Sequence, residues 1–251
     1  METKQTLRIA TWNLDLAKNS SRPIDLQRAI ILQKKPDIIV LTETCEAVNL
    51  TGHGYQVVYP ERKNSYGKYD AAIWSKYRIF RSFKTTDEEL SVCALTSSPL
   101  GDVMIYASII PYRDYKGADN NSKAWVEHYK AIKHLGDDLT TLQRETSQTM
   151  PLFVAGDFNQ TRDDSQGTYG TKEGRQMLGE MLERNNLTCL TEENYKLKLD
   201  PKKGWPRNNV DHICMTRGAF SVVASEAWDH FTEGEIYLSD HNGVYVDLQR
   251  K

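Results

Sequence analysis

Five short segments set carboxylates, carboxamides or imidazoles beside an apolar run. Leu7–Trp12 runs into Asn13 and Asp15, and Asp37–Leu41 runs into Glu43. Pro151–Ala155 leads to Gly156-Asp157-Phe158-Asn159. Asp211-His212 opens one strand-like run, and Ser239-Asp240-His241 immediately precedes the last. For any one of these residues alone, a turn or a cap is the simpler reading, because Asp and Asn readily bond their own backbone. Their recurrence at strand ends is how a site is gathered from distant sequence. Carboxylates brought within about 4 Å repel by roughly 4 kcal/mol per pair at an effective dielectric near 20, so they stay ionised together only around a cation. Oxygen donors without cysteine or paired histidine select a hard ion, Mg²⁺ or Mn²⁺, over zinc.

In their order along the chain, the segments Leu7-Arg8-Ile9-Ala10-Thr11-Trp12-Asn13, Leu41-Thr42-Glu43-Thr44, Gly156-Asp157-Phe158-Asn159-Gln160, Val210-Asp211-His212-Ile213 and Leu238-Ser239-Asp240-His241 resemble the endonuclease/exonuclease/phosphatase family, the deoxyribonuclease I-like proteins. Each motif is short and weak alone; five in order, spanning residues 7 to 248, make a strong pattern. The resemblance implies a metal-dependent phosphoesterase, a hydrolase. Such a site must neutralise an anionic ester, sharpen a water and steady the leaving oxygen.

The resemblance also implies roles. Glu43 is similar to the principal metal ligand, Asn13 to a neutral ligand on metal or phosphate, and Asp240 to a second metal-side carboxylate. Asp15 matches the Trp-Asn-x-Asp form of apurinic endonucleases, where the Asp lies close to the metal. Asp157 resembles the residue that orients and deprotonates the attacking water, and Asn159 one that holds that water or a phosphate oxygen. His241 would bond a non-bridging oxygen or serve as acid. Asp211 would accept from its other nitrogen, fixing the tautomer and favouring the charged ring.

One departure stands out. Many family members carry a His or Tyr aimed at phosphate after the strand Val103–Ile110, and here Ile109 stands near that place. Tyr112 or Arg113, just beyond, is a candidate replacement: an Arg fork suits phosphate, although a surface ion pair explains Arg113 equally well. Lys203 and Trp205 sit in a basic loop, Lys196 to Arg207, suited to gripping a backbone and stacking a base; a solvated loop with Trp205 packed inward is the equal alternative. The first choice of substrate is nucleic acid, DNA or RNA. The alternative is a small-molecule or lipid headgroup phosphate, although the Trp-Cys-Asp-Arg stretch of inositol 5-phosphatases is replaced here by Asn209-Val210-Asp211-His212. A non-catalytic binding module on the same fold fits less well, because the polar motif residues that metal chemistry requires are retained.

These side chains need strands to hold them. Runs rich in Val, Ile and Tyr recur at Leu7–Trp12, Asp37–Leu41, Tyr55–Tyr59, Asp70–Trp74, Leu90–Thr96, Val103–Ile110, Pro151–Ala155, Val210–Thr216, Ser221–Ala227 and Val244–Leu248. Helical spacing appears over Pro23–Lys35, Ser122 to about Gln143 and Thr171 to about Arg184. The expected architecture is α/β, a four-layer α/β/β/α sandwich of two mixed sheets flanked by helices, as one domain over 1–251. Hydrophobic residues at 39% and aromatic residues at 10% supply a core and exclude a disordered chain. With 32 Lys+Arg against 34 Asp+Glu, the net charge of −2 excludes binding nucleic acid by bulk charge, so phosphate must be met by local charge or metal. No apolar run approaches the ~20 residues of a membrane span, and the polar start Met1–Thr6 is unlike a secretion signal. A cytoplasmic monomer without a membrane anchor is therefore expected. Cys45, Cys93, Cys189 and Cys214 form no C-x-x-C pair and read as reduced core residues.

Overall fold

The computed structural model describes residues 5–16, 22–117, 119–146, 149–163, 168–195, 199 and 208–251. The strands are β1 (Thr6–Asn13), β2 (Ile38–Thr44), β3 (Gln56–Val58), β4 (Tyr69–Ser75), β5 (Ile79–Phe83), β6 (Ser91–Thr96), β7 (Val103–Ile109), β8 (Leu152–Asp157), β9 (Leu187–Cys189), β10 (Asp211–Thr216), β11 (Ser221–Trp228) and β12 (Gly243–Gln249). The helices are α1 (Ile24–Lys34), α2 (Val126–Glu145) and α3 (Lys172–Arg184). Two six-stranded sheets result, in the orders β11-β12-β1-β2-β4-β3 and β5-β6-β7-β8-β10-β9. Each is mixed: β1/β2 and β7/β8 pair in parallel and the other named pairs are antiparallel.

Side-chain parity divides the core into three layers. Leu7, Ile9, Ile38 and Val40 of the first sheet meet Phe153, Ala155, Ile213 and Met215 of the second. The alternate residues Ala10, Trp12, Ile39 and Leu41 pack with Ile31 of α1. Leu152, Val154 and Cys214 pack against Ile132, Leu135 and Leu139 of α2 and Leu178 and Met181 of α3. Strands covered on both faces read as unbroken apolar runs for this reason. The helices complete an α/β/β/α sandwich.

Local chemistry explains the helix ends. Pro23 precedes the first turn of α1, and Lys35 closes it in a left-handed conformation with its N–H on the Leu32 carbonyl. Thr171 caps α3, its side chain accepting from the Gly174 N–H. The α2 helix begins at Val126 rather than at Ser122, because Trp125 takes φ +67, outside the helical region. Two short strands, β5 and β9, add to the ten runs legible in the sequence. All four cysteines are free; Cys93 and Cys214 are buried, and Cys45 and Cys189 are half-buried. Among the described residues no helix is long and apolar enough to cross a membrane.

Candidate active site

Period-two alternation aims most of the site. On β1, Leu7 and Ile9 face the other sheet, so Asn13 does too. By the same parity Asp157 follows Phe153 and Ala155 on β8, and Asp211 shares the inward side with Ile213 on β10. On β2 the inward residues are Ile38 and Val40, so parity alone turns Glu43 away. A left-handed φ of +44 at Glu43 breaks the alternation and brings its carboxylate to the cleft. Asp15 (φ +52) and Asn159 (φ +45) are left-handed as well. Such conformations cost about 1–3 kcal/mol each and persist where the surroundings fix them. Gly156 is required by close approach: at φ +139, a Cβ there would lie 2.0 Å from the Ser108 carbonyl of the neighbouring strand.

The result is a cavity of about 400 Å³ lined by Asp15, Glu43, Tyr112, Asp157, Asn159, Tyr169, Asn208, Val210, Asp240 and His241. Asn13 stitches its floor. Its amide nitrogen donates to Glu43 Oε1 (3.2 Å) and Asp157 Oδ2 (3.0 Å), joining the two sheets. Its oxygen accepts from the Asp15 N–H at 2.9 Å, so here Asn13 acts as a clamp between carboxylates. Asp157 also receives the Asn159 backbone N–H at 2.8 Å and the Asn159 side-chain amide at 2.9 Å. That amide reaches the Ile110 carbonyl as well, at 3.1 Å. His241 Nδ1 lies 2.6 Å from Asp211 Oδ2. Its Nε2 faces the cavity, 4.0 Å from Asp157 Oδ2 and 3.8 Å from Asp240 Oδ1.

Buried polar groups outside the motifs hold these loops. Gln27 of α1 donates to both the Leu14 and Leu238 carbonyls at 2.8 Å, tying the Asn13 loop to the Asp240 loop. Ser239 Oγ donates to the Asn13 carbonyl (2.6 Å) and accepts the His241 N–H (3.0 Å). Trp12 Nε1 donates to the His241 carbonyl at 2.8 Å. Gln27 had one sequence signal, an amide one turn from Ile31 on the buried face of its helix.

Electrostatics separate the acidic groups. Burial pushes the Asp157 carboxyl up to about 7, against the pull of His241. Burial also raises Glu43, only partly offset by the Asn13 amide. At His241 burial disfavours the charged ring, but Asp211 and Asp157 together hold it well above the ordinary imidazole value. Ligand atoms of Asp157, Asp211 and His241 all lie within 4.8 Å of one another. An imidazolium donating to Asp211 is not a metal ligand, however, so that trio is better read as a hydrogen-bonded relay. The oxygen side of the cavity suits a hard cation. Glu43 is a half-buried carboxylate whose hydrogen-bond partner is a neutral amide, with Asp240 and Asp15 on the same cavity wall.

The other sequence candidates scatter. Tyr112 lines the cavity, whereas Arg113 is 63% exposed, with its Nε 3.8 Å from Asp114, and is not part of the lining. Asp15 lines the cavity but is paired with Arg22, whose Nε lies 2.7 Å from its carboxylate. Ile109 stays nearly buried at 7% exposure. Tyr169 also reaches the cavity wall. Lys203 and Trp205 lie outside the described residues.

Comparison with known proteins agrees with this architecture. The human Nocturnin catalytic domain with bound sulfate superposes with a TM-score of 0.67 at 19% identity, covering 100% of this chain and 97% of that one. An AP endonuclease from Archaeoglobus fulgidus gives 0.68 at 17% identity, covering 96% and 98%. TDP2 from D. rerio, complexed with a single-strand DNA product, gives 0.65 at 14% identity, covering 98% and 99%. These identities speak to the fold alone. A search of curated proteins by sequence finds no match. The sequence profile of the Endonuclease/Exonuclease/phosphatase family matches residues 10–241, from the strand that delivers Asn13 to His241 itself. The chain therefore belongs to that family, whose members are hydrolases acting on phosphoester bonds and generally use a divalent metal.

Proposed function

We propose that this protein is a Mg²⁺- or Mn²⁺-dependent nuclease that cleaves DNA or RNA by in-line attack of water. The observation that carries the choice of a polymeric substrate is a second groove. It has a volume of about 560 Å³, shares Glu43, Tyr112 and Asn159 with the reaction cavity, and extends past Arg62, Lys63 and Tyr66. A headgroup phosphate fills one cavity; a chain of phosphates and bases uses two joined ones. The TDP2 and AP endonuclease likenesses favour the same reading.

In this reading Asp157 takes the proton of the attacking water. Its raised pKa of about 7 places it near the working pH, where a general base is most effective. Asn13 and Asn159 fix its carboxylate in the acceptor orientation. The charged His241 ring donates from Nε2 to a non-bridging phosphate oxygen, and Asp211 keeps that ring charged and oriented. Glu43 and Asp240, with Asp15 and Asn13 nearby, would hold the cation. When bound, it supplies positive charge that offsets the phosphate.

The test is incubation with plasmid, single-stranded DNA, RNA, abasic duplex and small phosphomonoesters and diesters, with and without EDTA. Nucleic-acid cleavage that EDTA abolishes, and that Asp157→Asn and His241→Ala lose, is the expected result. Turnover confined to the small esters would refute the nuclease reading. Wild-type rates in both Glu43→Gln and His241→Ala would refute the site assignment.

A further inference from the structure

A second cluster of titratable groups lies on the opposite face of β10 from the reaction cavity. His212 follows Asp211 directly, so its side chain points away from the cleft, on the same face as Cys214. The ring is fully buried, with Nε2 2.9 Å from the Gln160 carbonyl and Nδ1 3.1 Å from the Thr191 carbonyl. Carbonyl oxygens only accept, so both nitrogens meet these partners by donating, and a ring with two N–H groups is an imidazolium. A cation this deep needs a counter-charge. Cys189 Sγ lies 3.6 Å from His212 Nδ1.

Across the strand pair stands a second thiol. Cys189 and Cys214 are register partners in the antiparallel β9/β10 ladder. The Leu190 N–H bonds the Ile213 carbonyl and the Arg217 N–H bonds the Asn186 carbonyl, both at 2.8 Å, marking the hydrogen-bonded pairs of this ladder. Alternation makes Cys189/Cys214 a non-hydrogen-bonded pair, whose Cα atoms sit about 4.5 Å apart. That spacing falls within the span of a disulfide. Burial pushes Cys189 up, yet the Cys214 S–H and the His212 ring pull it well below the ordinary thiol value. Burial and the neighbouring Cys189 push Cys214 well above it. The nearby Arg162 and Glu192 pair with each other at 3.1 Å.

We propose that Cys189 is a nucleophilic thiolate ion-paired with His212, and a site of oxidation by hydroperoxides with Cys214 as its resolving thiol. The Cys189 sulfur attacks the peroxide O–O bond, releases hydroxide (or alkoxide) and becomes a sulfenic acid. The Cys214 thiol then attacks that sulfur, water leaves, and a Cys189–Cys214 disulfide closes. The two sulfurs together lose two electrons, and the peroxide gains them. Cys189 is half-buried, so the oxidant reaches it first, while Cys214 is fully buried. The bond would clamp β9 onto the strand that carries Asp211, from behind the reaction cavity.

The experiment uses the full chain, reduced and then freed of reductant. Thiolate ultraviolet absorption at neutral pH should exceed that of Cys189→Ser by one thiolate's worth. His212→Gln, checked for native circular dichroism, should lose the same signal with Cys189 still present. One equivalent of hydrogen peroxide should then give a Cys189–Cys214 linked peptide in the wild type. In Cys214→Ser it should leave a dimedone-reactive Cys189. Equal absorption in wild type and Cys189→Ser overturns the proposal. So does oxidation of Cys45, the other half-buried thiol, while Cys189 and Cys214 stay reduced.

Discussion

Replacing Asp211 with Asn keeps the shape of the His241 partner and removes its charge. The two groups meet at 2.6 Å in a buried setting. Unit charges about 4 Å apart at an effective dielectric near 20 attract by about 4 kcal/mol, which is about three orders of magnitude in the protonation equilibrium of the ring. Asp211 and Asp157 are what hold His241 charged against its own burial. Without Asp211 the ring deprotonates as pH rises through the neutral range. In the proposed mechanism the form that donates to phosphate is the protonated one, so activity should be lost on the alkaline side. Turnover of the best substrate should fall about 10²- to 10³-fold near pH 8, within the range for general acid–base groups. A pH–rate profile should gain an alkaline limb that the wild type lacks, and nitrogen NMR of the ring should show a neutral imidazole. A rate within about twofold of wild type across this range, with the ring still charged, would show that Asp211 does not hold the His241 charge.

Two further changes test the scaffold. Gly156→Ala places a Cβ 2.0 Å from the Ser108 carbonyl at φ +139, and should cost about 4 kcal/mol or more in urea unfolding or prevent folding altogether; a loss under about 1 kcal/mol would contradict the close approach. Asp70→Asn probes a carboxyl that burial lifts from 3.8 to about 7 in the folded chain. The folded state then binds its proton more tightly than the unfolded state, so the wild type loses stability as pH rises from about 4 to about 7. The loss is about 4 kcal/mol and should vanish in the variant, read by unfolding in EDTA across that range. Parallel pH slopes in the two proteins would be the contrary result.

Parity and punctuation make much of the candidate site legible in the sequence. The motif residues of β1, β8 and β10 converge because alternation sends Asn13, Asp157 and Asp211 to the side where Leu7, Phe153 and Ile213 form the inter-sheet core. Glu43 reaches the cavity by a left-handed backbone turn that no apolar pattern reveals. The role of Asn13 is likewise a matter of geometry: the sequence marks an amide, and only the structure shows its nitrogen bridging two carboxylates. Strands β5 and β9 carry weak signals. In Ile79–Phe83 the Phe80 ring is 45% exposed and Arg81 interrupts the run, while Leu187–Cys189 is three residues long. Trp125 carries the apolar spacing of α2 yet stands just outside it, turned to meet the His128 ring with centroids 5.1 Å apart. Arg113 shows the limit of neighbourhood in sequence, since it points to solvent beside a cavity that Tyr112 enters.

In the proposed site, carboxylates from separate strand ends gather around a single hard cation. Calorimetric titration of Mg²⁺ and Mn²⁺ into the metal-free protein, wild type against Glu43→Gln, reads that gathering without any substrate. Saturable binding in the wild type, weakened at least about tenfold in Glu43→Gln with the fold intact, is the predicted result. Equal affinity in the two proteins, or no binding in either at millimolar metal, would contradict it.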